Sequence, residues 1–139
     1  MKLHILREDQ QPVEGFEIVK VSPNNMTLDH IVNNQCELIL APDIFDSFTI
    51  NAFPQLMQAL VAKLRIGGEL VLGGTDGRLL AKAVINGLLD VERSSNIVSS
   101  LMSATSEKFV RELVQSAGLK IASSRIDGLH FEIKAVRGQ

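Results

Sequence analysis

Apolar runs alternate with polar punctuation along this chain. Residues 2–6 (KLHIL) and 16–21 (FEIVKV) have the character of strands, the second most clearly. Thr27 is placed to cap a short helix whose Leu28, Ile31 and Val32 share a face. Residues 37–41 (ELILA) form a continuous apolar run, as expected for a strand buried on both faces, and Pro42 stops it. The clearest helix follows. Asn51 serves as its N-cap, Pro54 is tolerated in its first turn, and Leu56, Met57, Leu60, Val61 and Leu64 fall on one face. Lys63 and Arg65 sit where the helix dipole favours cations, and Gly67 supplies a left-handed residue to end the helix.

Residues 69–72 (ELVL) read as another buried strand, and 73–77 (GGTDG) as a flexible loop at its carboxyl end. A helix is expected over 79–89, weakened at Gly87. The Ser-rich stretch 91–105 is ambiguous: a short helix over 97–102, a lid over the sheet end and a plain polar surface all fit it. Thr105 or Ser106 caps the next helix, with Phe109, Val110, Leu113 and Val114 as its apolar face and Gly118 as its stop. Two strands, 121–126 and 129–136, are joined across Asp127-Gly128, a strong hairpin signal. Strands alternating with helices predict a three-layer α/β domain over 1–139. Its sheet is mostly parallel, with at most about seven strands, and ends in an antiparallel β-hairpin.

The composition narrows the function. Hydrophobic residues make up 45% and charged residues 22% of 139 residues, enough for a packed core. A formal net charge of −2, with six Phe and no Trp or Tyr, argues against a nucleic-acid binder, which needs basic and base-stacking surfaces. The lone Cys36 lies beside an apolar run and reads as a small buried hydrophobe. A cytoplasmic location is the expectation. The first residues run straight into a strand pattern, so no secretion signal is expected, and no apolar run approaches the roughly 20 residues of a membrane span.

Several segments together carry a family resemblance. Residues 37–48 (ELILAPDIFDSF), 56–74 (LMQALVAKLRIGGELVLGG) and 109–126 (FVRELVQSAGLKIASSRI), with the closing hairpin, resemble in order the later half of class I S-adenosylmethionine-dependent methyltransferases. At the start, Gly15, Phe16, Val19, Ser22 and Pro23 match small type-11-like members. The resemblance implies a Rossmann-like fold and a cofactor cleft over the first two strands. The departures gather at that cleft. Leu6, Arg7 and Glu8 stand where the family has Gly-Cys-Gly, and Lys20 stands where it has the acid that holds the ribose.

Glycine lets the backbone approach a ligand with no side chain between. Lysine has three donors and no acceptor, and its charge matches the sign of the ligand's sulfonium. Losing charged hydrogen bonds worth on the order of 1.5–3 kcal/mol each takes a micromolar site to roughly millimolar. The expectation is a methyltransferase-like pseudoenzyme with no cofactor, or weak S-adenosylmethionine binding, that serves as a binding or scaffold module for a small molecule or protein. The alternative is an active methyltransferase on a small molecule or glycan precursor.

Other candidate chemistry is sparse. Asp43 and Asp46 follow a buried strand's carboxyl end, where open α/β sheets bind ligands. They line a substrate pocket, Asp43 as the weak catalytic candidate, or they are loop carboxylates. Asp76 in GGTDG is open to the same two readings. That stretch lacks the Lys-Ser/Thr of a phosphate loop. His4, His30 and His130 are scattered, so no metal site is expected. Self-association through the sheet end or the helix around 56–64 is a further expectation.

Overall fold

The computed structural model describes residues 1–7 and 10–138. Its strands are β1 (Lys2–Arg7), β2 (Glu17–Val21), β3 (Cys36–Ala41), β4 (Leu64–Thr75), β5 (Leu119–Asp127) and β6 (His130–Arg137). Its helices are α1 (Phe53–Lys63), α2 (Gly77–Ile85), α3 (Val91–Ser99) and α4 (Glu107–Ser116), with single 3-10 turns at Ile44–Ser47 and Ile50–Ala52. Among the described residues the six strands form one sheet in the order β2-β1-β3-β4-β6-β5. The pairings β1–β2, β1–β3 and β3–β4 are parallel, and β6 runs antiparallel to both β4 and β5. This is the expected Rossmann-like α/β class with its C-terminal hairpin.

One sheet face carries the core. Leu3, Ile5, Val19, Val21, Ile39, Leu70, Leu72, Phe131 and Ile133 meet Phe53, Leu56, Met57 and Leu60 of α1 and Val110 and Val114 of α4. Phe45 packs edge-on against Phe53, with ring centroids 4.8 Å apart. Because Leu56, Met57, Leu60 and Leu64 are buried, the apolar side of 56–64 faces the core and is no surface for self-association. The other sheet face is crossed by an extended strap, residues 10–16. The Val13 N–H donates to His4 Nδ1 and the Phe16 ring stands edge-on to the His4 ring.

Several expected elements differ. No helix forms over 27–32: Leu28 and Ile31 are buried through a single turn, and Val32 is 65% exposed. The Ile31 carbonyl, which a longer helix would use, accepts instead from Lys63 Nζ at 2.7 Å. Asn51 does not cap α1. It lies in the 3-10 turn before it, and Ala52 holds the cap position without a side-chain bond. Gly67 has the expected positive φ, 82°, but sits inside β4, because α1 already ends at Lys63. The last carbonyls of α1 are satisfied from elsewhere. Asn34 N–H donates to Ala62, Gln35 N–H to Lys63, and the Arg137 guanidinium to Val61 and Leu64. A glycine cap is therefore unnecessary, and Leu64 turns directly into the strand.

Residues 73–77 are not a flexible loop. Gly73, Gly74 and Thr75 complete β4, in register with Glu132, Phe131 and His130. A Cβ on Gly73 would stand 2.3 Å from the Pro42 carbonyl oxygen and 2.5 Å from that of Phe131. The helix expected over 79–89 spans Gly77–Ile85, and the Ser-rich stretch forms α3 earlier than 97–102. Ser106 rather than Thr105 caps α4, accepting from Phe109 N–H, and Phe109 itself is half exposed.

Two substitutions test this packing. Leu60→Ala should cost about 2–5 kcal/mol, the range for emptying a core site, read as a fall in the denaturation midpoint. Gly73→Ala should also destabilise, by about 1–3 kcal/mol or more, because backbone rather than a movable side chain blocks the added methyl.

Candidate functional site

The strand order turns back at β1: β2 lies on one side of it and β3 on the other. Open α/β sheets bind ligands outside the carboxyl ends of their strands at such a point. A cleft of about 360 Å³ lies there, within the size range of small-molecule sites. Its walls are Arg7 at the end of β1, Val21, Ser22 and Pro23 at the end of β2, Asp46 and Ser47 after β3, and Ser99–Met102 from the last residue of α3 onward. The arm over the cleft is tied down. Met102 N–H donates to the Asp46 carbonyl at 2.9 Å and Ser103 Oγ to the Phe45 carbonyl at 3.0 Å.

The expected site residues divide by strand alternation. Leu6 and Lys20 are register partners, and both point to the sheet face opposite the core. Leu6 is buried there and Lys20 is exposed. Their successors, Arg7 and Val21, line the cleft. Glu8 lies outside the described residues.

Asp46 is 5% exposed. Its Oδ1 accepts from Thr75 N–H at 2.7 Å and its Oδ2 from Thr75 Oγ1 at 3.0 Å. Burial pushes its carboxyl above the ordinary range, against the pull of these hydrogen bonds. Asp43 stands outside the cleft lining. Its Oδ1 meets His130 Nε2 at 2.7 Å and its other oxygen accepts from Gln10 Nε2. His130 Nε2 also lies 2.8 Å from the Pro42 carbonyl oxygen, so the ring carries its proton on that nitrogen. Gln10 Oε1 accepts from Arg7 N–H at 2.8 Å. This chain of bonds joins the ends of β1 and β3 to the start of β6 across 87 positions of sequence. The hydrogen bond to His130 holds the Asp43 carboxyl low although burial opposes it, and the same bond raises His130. Sequence reasoning left His130 unassigned, and nothing local in its hairpin announces its partner.

Asp76 is a helix cap twice over. Its Oδ1 accepts from Arg78 and Leu79 N–H at the start of α2, and its Oδ2 accepts from Glu107 N–H at the start of α4. Among the described residues no group of three or more His, Cys, Asp or Glu is placed to hold a metal ion. Cys36 is buried and burial raises its thiol, so it is a packing residue. No helix among the described residues is long and apolar enough to cross a membrane.

Comparison with known proteins agrees on the fold. No family model and no curated protein matches the sequence. Solved structures do match. A S-adenosylmethionine-dependent methyltransferase from Archaeoglobus fulgidus is 8% identical with a TM-score of 0.64, over 98% of this chain and 86% of that one. The Burkholderia thailandensis 1,6-didemethyltoxoflavin-N1-methyltransferase, solved with S-adenosylhomocysteine, is 15% identical with a TM-score of 0.53, over 77% and 46%. An O-methyltransferase family protein from Burkholderia thailandensis is 13% identical with a TM-score of 0.62, over 89% and 36%. The fold is that of the class I S-adenosylmethionine-dependent methyltransferases. The chain spans less than half the length of the last two of these proteins.

His4 and His130 should shift in opposite directions. Burial lowers His4 from 6.5, and the Asp43 bond raises His130 from the same value. A raised His130 contributes stability that is complete below 6.5 and lost as pH climbs through its folded value. His4, kept neutral, contributes stability above 6.5 that is lost as pH falls through its lowered value. Imidazole NMR titrations should therefore place one midpoint on each side of 6.5, and Asp43→Asn should return His130 toward it. Asp76→Ala should uncap α2, at about 0.5–2 kcal/mol, and leave the Glu107 N–H of α4 without its acceptor, at about 1–3 kcal/mol more, measured by denaturant unfolding.

Proposed function

We propose that this chain is a binding module on a methyltransferase-like fold, with its S-adenosylmethionine site lost or reduced to weak affinity, serving a small molecule or a protein. The observation that carries the reading is Arg7 in the cleft wall at the end of β1. A guanidinium is charged at every physiological pH. By the family resemblance, position 7 belongs to the glycine turn that the cofactor approaches, and here a charged side chain takes the path that glycine leaves to the backbone. The carboxylate in the wall, Asp46, is engaged by Thr75 through both oxygens, and Lys20 is directed away from the cleft. Neither is set to accept from a ribose. The cleft wall presents the Arg7 guanidinium in the field of the Asp46 carboxylate, serine hydroxyls and the apolar sides of Val21, Pro23, Leu101 and Met102.

Calorimetric titration with S-adenosylmethionine and S-adenosylhomocysteine tests this. The wild-type chain should show no binding of S-adenosylmethionine at submillimolar concentration, and the uncharged thioether should bind the better of the two. Arg7→Ala should narrow that gap by about tenfold, the equivalent of ~1.4 kcal/mol. Micromolar binding of S-adenosylmethionine by the wild-type chain, or methyl transfer to a small-molecule or glycan acceptor, would establish the active-enzyme reading instead.

A further inference from the structure

The sheet face opposite the core presents an apolar patch at the centre of the sheet. Leu38 and Leu40 of β3, Val71 of β4 and Val136 of β6 lie on it, in the registers Leu38–Glu69–Val136 and Leu40–Val71–Lys134. None of the four belongs to the cluster that α1 and α4 cover. Leu38, Leu40 and Val136 are left part-exposed on interior strands, Val71 beneath them is buried, and the exposed Glu69 stands between Leu38 and Val136. Parallel strands are ordinarily buried on both faces. The strap reaches His4 and Phe16 on the β1–β2 side, and none of its described bonds or ring contacts goes beyond β3. The patch spans three adjacent strands, about 10 Å, which is the width of one α-helix.

Charge says what kind of helix fits. Lys2 borders the patch on the β1 side, as the register partner of Leu38. Lys134 and Lys120 border it on the β6 and β5 side, next to Val71 and Val136. All three lysines are exposed, and Glu69 is the carboxylate within the two rows. Glu132, one row further along, is engaged by Arg125 at 3.4 Å. A chain of net charge −2 thus places cations on both shoulders of an apolar stripe.

We propose that this face binds an amphipathic helix of a partner protein. Its apolar stripe lies on Leu38, Leu40 and Val136, and acidic residues on its shoulders meet Lys2 on one side and Lys120 and Lys134 on the other. The occupant completes the missing helical layer from outside the chain. This surface does not depend on what the cleft binds, and cofactor titrations leave it untouched.

The test uses the full chain and two fluorescein-labelled helical peptides of about 18 residues, five turns. They share one Leu/Ala stripe; one carries Glu shoulders and the other Lys shoulders. Fluorescence anisotropy should show the Glu peptide binding at least about tenfold tighter. The exposed-site variant Lys2→Glu/Lys134→Glu should reverse that preference while keeping the wild-type melting temperature. Hydrogen exchange should report protection by the peptide in β3, β4 and β6. Equal affinities, no binding of either peptide, or protection confined to the edge strands β2 and β5 would overturn the proposal. So would self-association of the wild-type chain that the same variant abolishes, or capture by anionic lipid vesicles without binding of the Glu peptide.

Discussion

The parallel pairing of β1 with β2 is closed by a link of nine residues, 8–16. Parallel neighbours ordinarily need a crossover of a dozen or more residues, most often a helix. A link this short crosses the sheet only as an extended strap, and its described part does so, held by Val13 on His4 and Gln10 on Asp43. Much of the architecture follows. The face under the strap keeps its apolar residues part-exposed on β3 and β6. The last residue of β1, Arg7, brings its side chain to the cleft. His4 is buried beneath backbone and one aromatic ring, where burial disfavours its charged form.

At the carboxyl end of the sheet, three aspartates act as fasteners. Asp43 ties β3 to β6 and to the strap, Asp46 ties the turn after β3 to Thr75, and Asp76 starts two helices. Buried carboxylates persist when their oxygens are met by donors, and each of these has donors on both. Their chemistry is largely committed to holding strand ends in place. Arg7, Asp46 and the serines around them line the cleft.

The elements with a local cause were legible in the sequence. Period-two and continuous apolar runs marked the strands. The i, i+4 spacing of Leu56 and Leu60 marked α1, and Asp127-Gly128 marked the hairpin. The order of these elements was enough for the fold class, because short right-handed connections leave few ways to arrange them. Where the reading failed, the deciding partner was remote. Gly67 looked like a helix stop because nothing near it shows that Asn34, Gln35 and Arg137 already satisfy the end of α1. Gly73-Gly74 looked like a loop because Pro42 and Phe131, whose carbonyls forbid a Cβ, are distant in sequence.

The site divides along the same line. The sequence by itself carried the resemblance that sets Leu6, Arg7 and Glu8 against a glycine turn and Lys20 against a ribose acid, since residue identity suffices for that. Only the tertiary structure decided which of them face the cleft. Alternation along a strand sends Leu6 and Lys20 to one side and Arg7 and Val21 to the other, and the side that holds the cleft is set by where the helices pack. The pairing of Asp43 with His130 is likewise a property of the folded sheet. The two are 87 residues apart and meet because β4 lies between β3 and β6 and presents Gly73, whose missing side chain leaves room for the imidazole.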